Sequence, residues 1–224
     1  MSTIEAVGEG IVRDMKHLEV VSQNIANINT PGFQSVQSFD VAISEDKTVA
    51  TQYVTDRSGS IKSSNRGLDW AITGSGYFVI EKGNSLYVSR YGRFHIGEDG
   101  LLTHVSGGKL IGESGSIQVT GGAVSVTNSG DVKVAGNIVD RLQIIDVEQL
   151  KVSNQSGGLY IFNGAAAAVE NRHIKANAIN ASNVEPAAQT TQMMNLNRHI
   201  QSLQKAALAY DQMLNAGINE LGRK

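Results

Sequence analysis

The chain has 224 residues, of which 41% are hydrophobic, and its net charge is −2. Because proteins that bind nucleic acid usually carry a basic stripe, this near-neutral charge argues against a phosphate-tracking function. The absence of cysteine excludes disulfides and thiolate metal sites, and without a run of 18 apolar residues no transmembrane helix is predicted.

Residues 1–32 predict a long helix with a narrow apolar stripe, which is typical of a helix that packs on another helix. Asp14 takes the one position where the stripe is interrupted. Because Pro31 disfavours helical backbone at the residue before it, the helix is predicted to stop near Thr30. Charged residues are spaced among the apolar ones, so no cleavable secretory signal is predicted. The stripe consists of Ile4, Val7, Ile11, Leu18, Val21, Ile25 and Ile28.

Two segments of different character follow the first helix. Residues 33–62 are of mixed polarity and predict a partly extended linker, with residues 48–54 as a candidate hairpin. From 63 to 150, short β-like runs alternate with Gly-rich turns, which predicts an all-β, antiparallel domain. Asp99 and Gly100 mark a tight hairpin within it. Strands are predicted at 68–72, 77–80, 86–90, 94–96, 101–105, 117–119, 124–126, 132–134 and 142–147.

The remainder of the chain predicts a return segment over 151–181, extended at 174–180, and a second long helix over 182–224. Ser182 and Glu185 fit a capping box, with Asn183 as the alternative cap because Pro186 is tolerated only in the first turn. The second stripe consists of Met193, Leu196, Ile200, Leu203, Ala207, Tyr210, Leu214 and Gly217.

Matching stripes at the two ends of the chain predict that the terminal helices pack together or against the same helices of neighbouring copies. The predicted fold class is therefore α+β. Long N- and C-terminal helices pair in a coiled-coil-like bundle, and a central antiparallel β domain is inserted between them.

We find no catalytic constellation in the sequence, and we predict no enzyme activity, no metal site and no cofactor. His95 and His104 could face each other across a hairpin and hold a metal, but two surface residues are the favoured interpretation because no third ligand is placed nearby. Scattered aspartates such as Asp69 and Asp146 are typical of turns. A cell-wall glycan-binding or hydrolysing β module with a carboxylate pair remains the alternative from another functional class.

Four stretches of the chain resemble, in order, the conserved segments of bacterial flagellar rod and hook proteins. Residues 24–33 read Asn-Ile-Ala-Asn-Ile-Asn-Thr-Pro-Gly-Phe, which resembles the N-terminal signature of that family. Residues 67–79 resemble its Leu-Asp-x-Ala-Ile-x-Gly-x-Gly-Phe-Phe segment, and 89–102 its Thr-Arg-x-Gly-x-Phe…Gly-x-Leu segment. Residues 182–184 match the Ser-Asn-Val before the last helix. That helix most resembles the proximal rod members, with a distal rod or hook-type paralogue as the alternative.

The resemblance implies a structural subunit of the hollow axial rod of the flagellar basal body, which crosses the periplasm and transmits torque for motility. The paired terminal helices would form an inner tube, with the β module outside. The implied partners are copies of the chain, other rod proteins and the type III export apparatus, which carries the chain without a cleaved signal peptide. The ends of the free monomer are expected to be largely disordered and to gain order on assembly.

Asp14 is the first candidate for a polar contact between subunits, and the side-chain amides of the Asn residues could satisfy polar groups between neighbours. The residues predicted to mediate assembly are Ile4, Val7, Ile11, Asp14, Leu18, Val21, Asn24, Ile25, Asn27, Ile28, Asn29, Pro31, Gly32, Phe33, Leu196, Ile200, Leu203, Ala207 and Leu214.

Overall fold

The computed structural model describes residues 3–44, 47–153 and 158–221. Two helices, one near each end, flank a central antiparallel β-rich region, so the fold class is α+β. The chain divides into two compact units. In order, the elements are α1 (Thr3–Ala26), β1 (Val36–Ser44), β2 (Lys47–Val54), β3 (Ile61–Ser63), β4 (Trp70–Ile72), β5 (Tyr77–Lys82), β6 (Ser85–Ser89), β7 (Phe94–Ile96), β8 (Leu102–His104), β9 (Lys109–Gly112), β10 (Gly115–Ser116), β11 (Val124–Val126), β12 (Asp131–Val134), β13 (Asn137–Arg141), β14 (Ile144–Val152), β15 (Tyr160–Ala168), β16 (Ile174–Ala176), β17 (Ala178–Asn180) and α2 (Pro186–Leu221).

The first unit contains α1, α2 and most of the hairpin formed by β1 and β2. With 24 residues, α1 is about 36 Å long at 1.5 Å per residue. It ends at Ala26, ahead of Pro31, and the backbone then turns as the N–H of Thr30 donates to the carbonyl of Asn27. The hairpin is larger than the candidate at 48–54, because residues of the expected linker form β1 as its first strand.

The start of α2 differs from both predicted caps. Pro186 is the first helical residue, where its missing N–H is not needed, and the carbonyl of Glu185 accepts the first intrahelical bond from Gln189. The hydroxyl of Ser182 instead accepts from the N–H of Val184. The Asn183 side chain is used elsewhere, since it bonds Ser35, Thr55 and Arg57 in the second unit. The predicted capping box is therefore wrong.

The second unit is built on an eight-stranded antiparallel sheet in the order β14-β15-β6-β5-β9-β8-β7, with β10 attached to β9. A three-stranded sheet, β11-β12-β13, and the pairs β16–β4 and β17–β3 complete it. The last two pairs join the predicted extended segment at 174–180 to the start of the β region. Asn177, between β16 and β17, has a φ of 54°, a left-handed conformation that Asn tolerates better than most residues.

Strand β5 separates two hydrophobic clusters. Phe78 and Ile80 belong to the larger cluster, and Tyr77 and Val79 to the smaller one. Because side chains alternate along a strand, the continuous apolar run at residues 77–80 is buried on both faces of the sheet. The predicted strand at 117–119 is wrong: those residues are irregular apart from one bridge between Gln118 and Leu101.

His104 corrects the prediction of two surface histidines. His95 is exposed and pairs with Thr103 across the hairpin, while His104 pairs with Phe94, so the two imidazoles are not cross-strand partners. His104 is fully buried, and its Nε2 lies 2.8 Å from the carbonyl oxygen of Tyr91. Its Nδ1 lies 2.7 Å from the Ser106 hydroxyl. His104 is therefore part of the core of this unit.

Candidate assembly surface

Within the first unit, α1 and α2 contact each other and run antiparallel. Asn24 Nδ2 donates to Gln189 Oε1 at 3.1 Å, and farther along the pair Asp14 Oδ2 lies 2.5 Å from His199 Nδ1. Residue numbers fall along α1 as those of the partners rise along α2, which defines the antiparallel direction. Coiled-coil geometry for this pair remains a prediction.

The contact between the helices covers the predicted apolar stripes only in part. Val21 is buried, whereas Ile4 on α1 and Leu214 on α2 are exposed. Gly10 leaves room for close approach, since a Cβ there would lie 3.3 Å from Leu203 Cδ1. Other stripe residues are half-buried, namely Val7, Ile11, Leu18 and Ile25 on α1 and Leu196, Ile200, Leu203 and Ala207 on α2. The pair therefore retains apolar surface that solvent can reach.

Asp14, the interruption of the first stripe, has a partner within its own chain. Its side chain is 6% exposed and contacts His199, whose side chain is 55% exposed. A carboxylate this buried requires a hydrogen-bond donor, and the imidazole of His199 supplies one. Sequence reasoning identified Asp14 but missed His199, although both lie where the two helices meet.

Asn24 connects three elements of the first unit. Its side chain forms two hydrogen bonds with the backbone of Val36 in β1, each 2.8 Å long, in addition to its bond to Gln189 of α2. These bonds satisfy the hydrogen-bonding groups of the Asn24 side-chain amide within the chain. The buried Asn24 therefore holds α1, β1 and α2 together, and a contact of this side chain with a neighbouring subunit remains a prediction.

A second set of apolar residues, outside the predicted stripes, is exposed on both helices. Val12 is 55% exposed and Met15 is 57% exposed on α1, and on α2 Met194 and Leu208 are similarly open. None of the four is among the residues predicted to mediate assembly. The signal that could have found them is the presence of large apolar side chains at helix positions that face away from the stripe.

The C-terminal end of α2 extends past α1. By the register of the contacts described above, α1 begins level with Tyr210. Residues 211–218 are all exposed, among them Met213 at 67% and Ile218 at 66%. Within the described part of the chain, this end of α2 is therefore a regular helix whose apolar side chains are open to solvent.

The segment that follows α1, residues 27–35, belongs to the second unit. Gly32 has a φ of 70°, donates its N–H to the carbonyl of Asn180 at 2.7 Å and lies against Tyr91, where a Cβ would overlap backbone. Phe33 is buried beside Tyr160. Gly32 and Phe33 therefore serve the fold of this unit.

The other residues of this segment that were predicted to mediate assembly are less buried. Ile28 and Pro31 are half-buried, Asn29 is exposed, and Asn27 accepts a hydrogen bond from the hydroxyl of Thr30. A role in assembly for these residues remains a prediction.

Gln34 extends this connection into a buried polar network. Its Oε1 accepts a 2.8 Å hydrogen bond from the Tyr77 hydroxyl, and its backbone N–H donates to the Tyr160 hydroxyl at 2.6 Å. Burial raises the pKa of both tyrosines above the usual value, although Arg90 and the bond to Gln34 act in the opposite direction on Tyr77. Both hydroxyls therefore remain protonated at neutral pH, where Tyr77 donates to Gln34 and Tyr160 accepts from it.

Two of the sequence motifs meet in the second unit. Asp69 is fully buried, and its carboxylate accepts two hydrogen bonds from the guanidinium of Arg93, at 3.1 and 3.0 Å. The hydroxyl of Ser64 donates to the same carboxylate at 2.6 Å. The hydrogen bond to Asp69 raises the pKa of Arg93. This charged cluster holds the motifs at 67–79 and 89–102 together. It accounts for an aspartate at position 69 better than the turn role expected from the sequence.

One cleft of the second unit gathers the carboxylates of Asp56, Asp146 and Glu148. A glycoside hydrolase needs one carboxylic acid kept protonated, which an apolar, enclosed environment provides. Asp56 and Glu148 are exposed, and Asp146 is half-buried and accepts a hydrogen bond from the N–H of Val147, so none of the three lies in an apolar, enclosed environment. The cleft is therefore acidic without presenting such an acid.

Within residues 3–44, 47–153 and 158–221, no cluster of three or more His, Asp or Glu side chains is arranged to hold a metal ion. In the same ranges, neither helix is long and apolar enough to cross a membrane.

Similarity to known proteins covers both helical ends. Residues 15–34 match the family described as "Flagella basal body rod protein", and residues 175–221 match "Flagellar basal body rod FlgEFG protein C-terminal". The flagellar basal-body rod protein FlgF of Caulobacter vibrioides is 26% identical over 96% of both chains. The chain is therefore similar to flagellar rod proteins at both ends, and to one of them over nearly its whole length. The matched ends contain the second half of α1 with the turn after it, and all of α2.

Further flagellar rod and hook proteins match over shorter segments. The flagellar basal-body rod protein FlgF of Rhizobium meliloti is 30% identical over 41% of this chain and 42% of its own length. The flagellar hook protein FlgE of Salmonella typhimurium is 34% identical over 49% of this chain and 29% of its own. With these relatives, the similarity spans less than half of their length.

Proposed function

We propose that this protein is a structural, non-enzymatic subunit of the flagellar basal-body rod, which assembles helically through its terminal helices. The observation that carries this proposal is the apolar surface that the paired helices leave open, on the same segments that match the rod protein families. Head-to-tail contacts that do not close on themselves produce a helical filament, and the exposed apolar side chains supply the surface for such contacts.

Within the family, a rod position in the proximal part is favoured over a distal-rod or hook-type role. The similarity to the FlgF of Caulobacter vibrioides extends over 96% of both chains, whereas similarity to the hook protein of Salmonella typhimurium covers 29% of that protein. A subunit in this position would lie in the periplasm, contact other rod proteins and contribute to the torque-transmitting shaft. Delivery by the flagellar type III export apparatus without a cleaved signal is part of the same proposal.

The exposed end of α2 offers a direct test. We expect the double variant Met213→Glu/Ile218→Glu to abolish swimming in soft agar and to be absent from isolated basal bodies, because two charges would be placed on the assembly surface. Both side chains are about two-thirds exposed, so the fold is expected to tolerate the changes. The strain must lack the native gene, and immunoblots of purified basal bodies would measure incorporation.

The matched control is Gln212→Glu/Asn215→Asp, which adds the same charge at exposed polar positions of the same helix segment. This control is expected to swim and to be incorporated at the native level. If the Met213→Glu/Ile218→Glu protein entered basal bodies as well as the control, the proposal that this surface mediates assembly would be wrong.

A further inference from the structure

The second unit has a long free strand edge at β15. This strand pairs with β14 along its length, but on its other side only Tyr160 is paired, with Val88 of β6. Among the described residues, no backbone hydrogen bond reaches 161–168 from that side. Alternate residues of an antiparallel strand direct both their N–H and C=O away from the paired neighbour, so this edge presents unused donors and acceptors.

This edge lacks most of the features that protect edge strands. The sequence of residues 161–168 is Ile-Phe-Asn-Gly-Ala-Ala-Ala-Ala, with neither charge nor proline. A bulge opposite Glu148, where Gly164 has a φ of 104°, is the one protective feature. It leaves residues 165–168 as an uninterrupted, solvent-exposed stretch of small side chains. An extended backbone could therefore approach this stretch without steric obstruction.

The alanine stretch borders the acidic cleft. Ala165 and Ala167 line a cleft of about 420 Å³ together with Asp56, Asp146 and Glu148. Among the described residues, none of these three carboxylates forms an ion pair. The buried guanidinium of Arg90 lies over the ring of Tyr77, another residue of the cleft. Three carboxylates against this one guanidinium leave the cleft with a net negative charge, which favours a basic side chain.

The strand register relates the edge to the cleft. Asp146 of β14 is the direct cross-strand partner of Ala167. A strand added to β15 would lie about 4.8 Å from it, and therefore about 10 Å from β14. A Lys or Arg placed opposite Ala167 spans most of that distance when extended, and the methyl group of Ala167 does not block it. A larger side chain at position 167 would block it.

We propose that the free edge of β15 binds an extended segment of a different protein chain, which adds as a strand beside residues 165–168 and places a Lys or Arg in the cleft of Asp56, Asp146 and Glu148. Backbone hydrogen bonds supply the binding, and the basic side chain supplies the selectivity. This surface lies wholly in the second unit, so the proposal does not depend on the helical surface argued above for rod assembly.

Binding of two labelled heptapeptides to the full chain, measured by fluorescence anisotropy, tests the charge requirement. One peptide is acetyl-Thr-Val-Lys-Val-Lys-Val-Thr-amide, and the other has Glu in place of both Lys. We expect the Lys peptide to bind at least tenfold more tightly. Equal Kd values for the two peptides, or no binding of either at millimolar concentration, would overturn the proposal.

Two further comparisons test where and how the peptide binds. Glu148→Lys should remove most or all of the preference for the Lys peptide. The control is Glu98→Lys, which changes an exposed residue in the turn before β8, at the other end of the sheet order, and it should leave the preference unchanged. Peptides N-methylated on all Val or on all Lys residues separate strand addition from simple charge attraction. In an added strand only one of the two sets of N–H groups faces β15, so one methylated peptide should lose binding and the other should keep it.

Equal behaviour of the two methylated peptides would overturn strand addition. A second copy of the chain is the competing occupant of the edge. If sedimentation showed a dimer of the chain that Ala166→Lys dissociates, while the Lys peptide failed to bind, a second copy would occupy the edge and the proposal would be wrong.

Discussion

His104 shows at the scale of one residue why chemical type alone does not fix a role. The sequence places it in a hairpin, where histidines are usually exposed, but it packs at the edges of the Tyr91 and Phe94 rings inside the core. Its two ring nitrogens are occupied by Ser106 and by the backbone of Tyr91. Asn177, by contrast, lies at a left-handed backbone position, for which the list of suitable residues is short. The burial of His104 depends on partners that no local pattern specifies.

The burial of His104 predicts acid sensitivity of folding. Burial, with smaller contributions from His95 and Lys82, lowers the pKa of His104 from 6.5 to about 4, while the bond to Tyr91 opposes the shift. Between these two values the unfolded chain binds a proton that the folded chain does not, so the free energy of unfolding falls as the pH decreases from 6.5 to 4. The loss attributable to this group is roughly 3 kcal/mol at pH 4.

Urea unfolding followed by circular dichroism at several pH values would measure this loss. The variant His104→Gln should show a shallower dependence between pH 6.5 and 4 than the native protein. His173→Gln is the matched control, because His173 is exposed and is not among the groups that shift the pKa of His104, and it should keep the native dependence. An unchanged dependence in His104→Gln would contradict the assignment.

At the scale of elements, periodicity predicted the long helices well and the short strands less well. Apolar residues that recur at helical spacing over many turns, as in the two stripes, are compatible with few structures other than a helix. Strand β15 was missed because Gly and Ala have low strand propensity, and its conformation is imposed by pairing with β14. The contacts of the predicted assembly residues were also beyond sequence reasoning. Nothing local indicates that Asn24 bonds Val36 or that Asp14 meets His199.

The contact of Asp14 with His199 predicts that losing one partner is worse than losing both. His199→Ala leaves the buried Asp14 carboxylate without its donor, and we expect a loss of about 2 kcal/mol in the free energy of unfolding at pH 7. In Asp14→Leu/His199→Leu, two apolar side chains continue the stripe, and stability should be close to native or higher. A polar contact at this position would then serve the register of the helices.

Helical circular dichroism at 222 nm during urea unfolding is the appropriate measurement. Gln201→Ala, at an exposed position two residues along α2, is the control for simple loss of a side chain, and it should change stability by less than about 0.5 kcal/mol. Should His199→Ala and Gln201→Ala prove equally stable, the contact would have no part in holding the helices together.

At the scale of the whole molecule, the order of the chain does not follow the division into units. The first unit draws its residues from both ends and from the hairpin of β1 and β2, while residues 27–35 leave α1 and enter the second unit. The motif at 24–33 therefore crosses the division: Asn24 holds the first unit together, and Gly32 and Phe33 complete the second. A motif read as one assembly signal thus has two structural tasks.

This division predicts where the β unit can be cut from the helices. A fragment of residues 27–184 retains both hydrophobic clusters and should fold without either helix, because its core is its own. A fragment of residues 35–184 lacks Phe33, whose burial contributes about 2 kcal/mol. It also lacks Gln34, which leaves the hydroxyls of Tyr77 and Tyr160 without partners at about 1 kcal/mol or more each.

Thermal unfolding of the two fragments, followed by near-ultraviolet circular dichroism, compares them directly. We expect the fragment from residue 27 to unfold cooperatively, and the fragment from residue 35 to unfold at a clearly lower temperature or to lack fixed tertiary structure. The eight residues 27–34 account for the whole difference between them, so equal stability would mean that the segment after α1 does not belong to the core of the β unit. Neither fragment should support motility, since both lack the helices on which the proposed assembly depends.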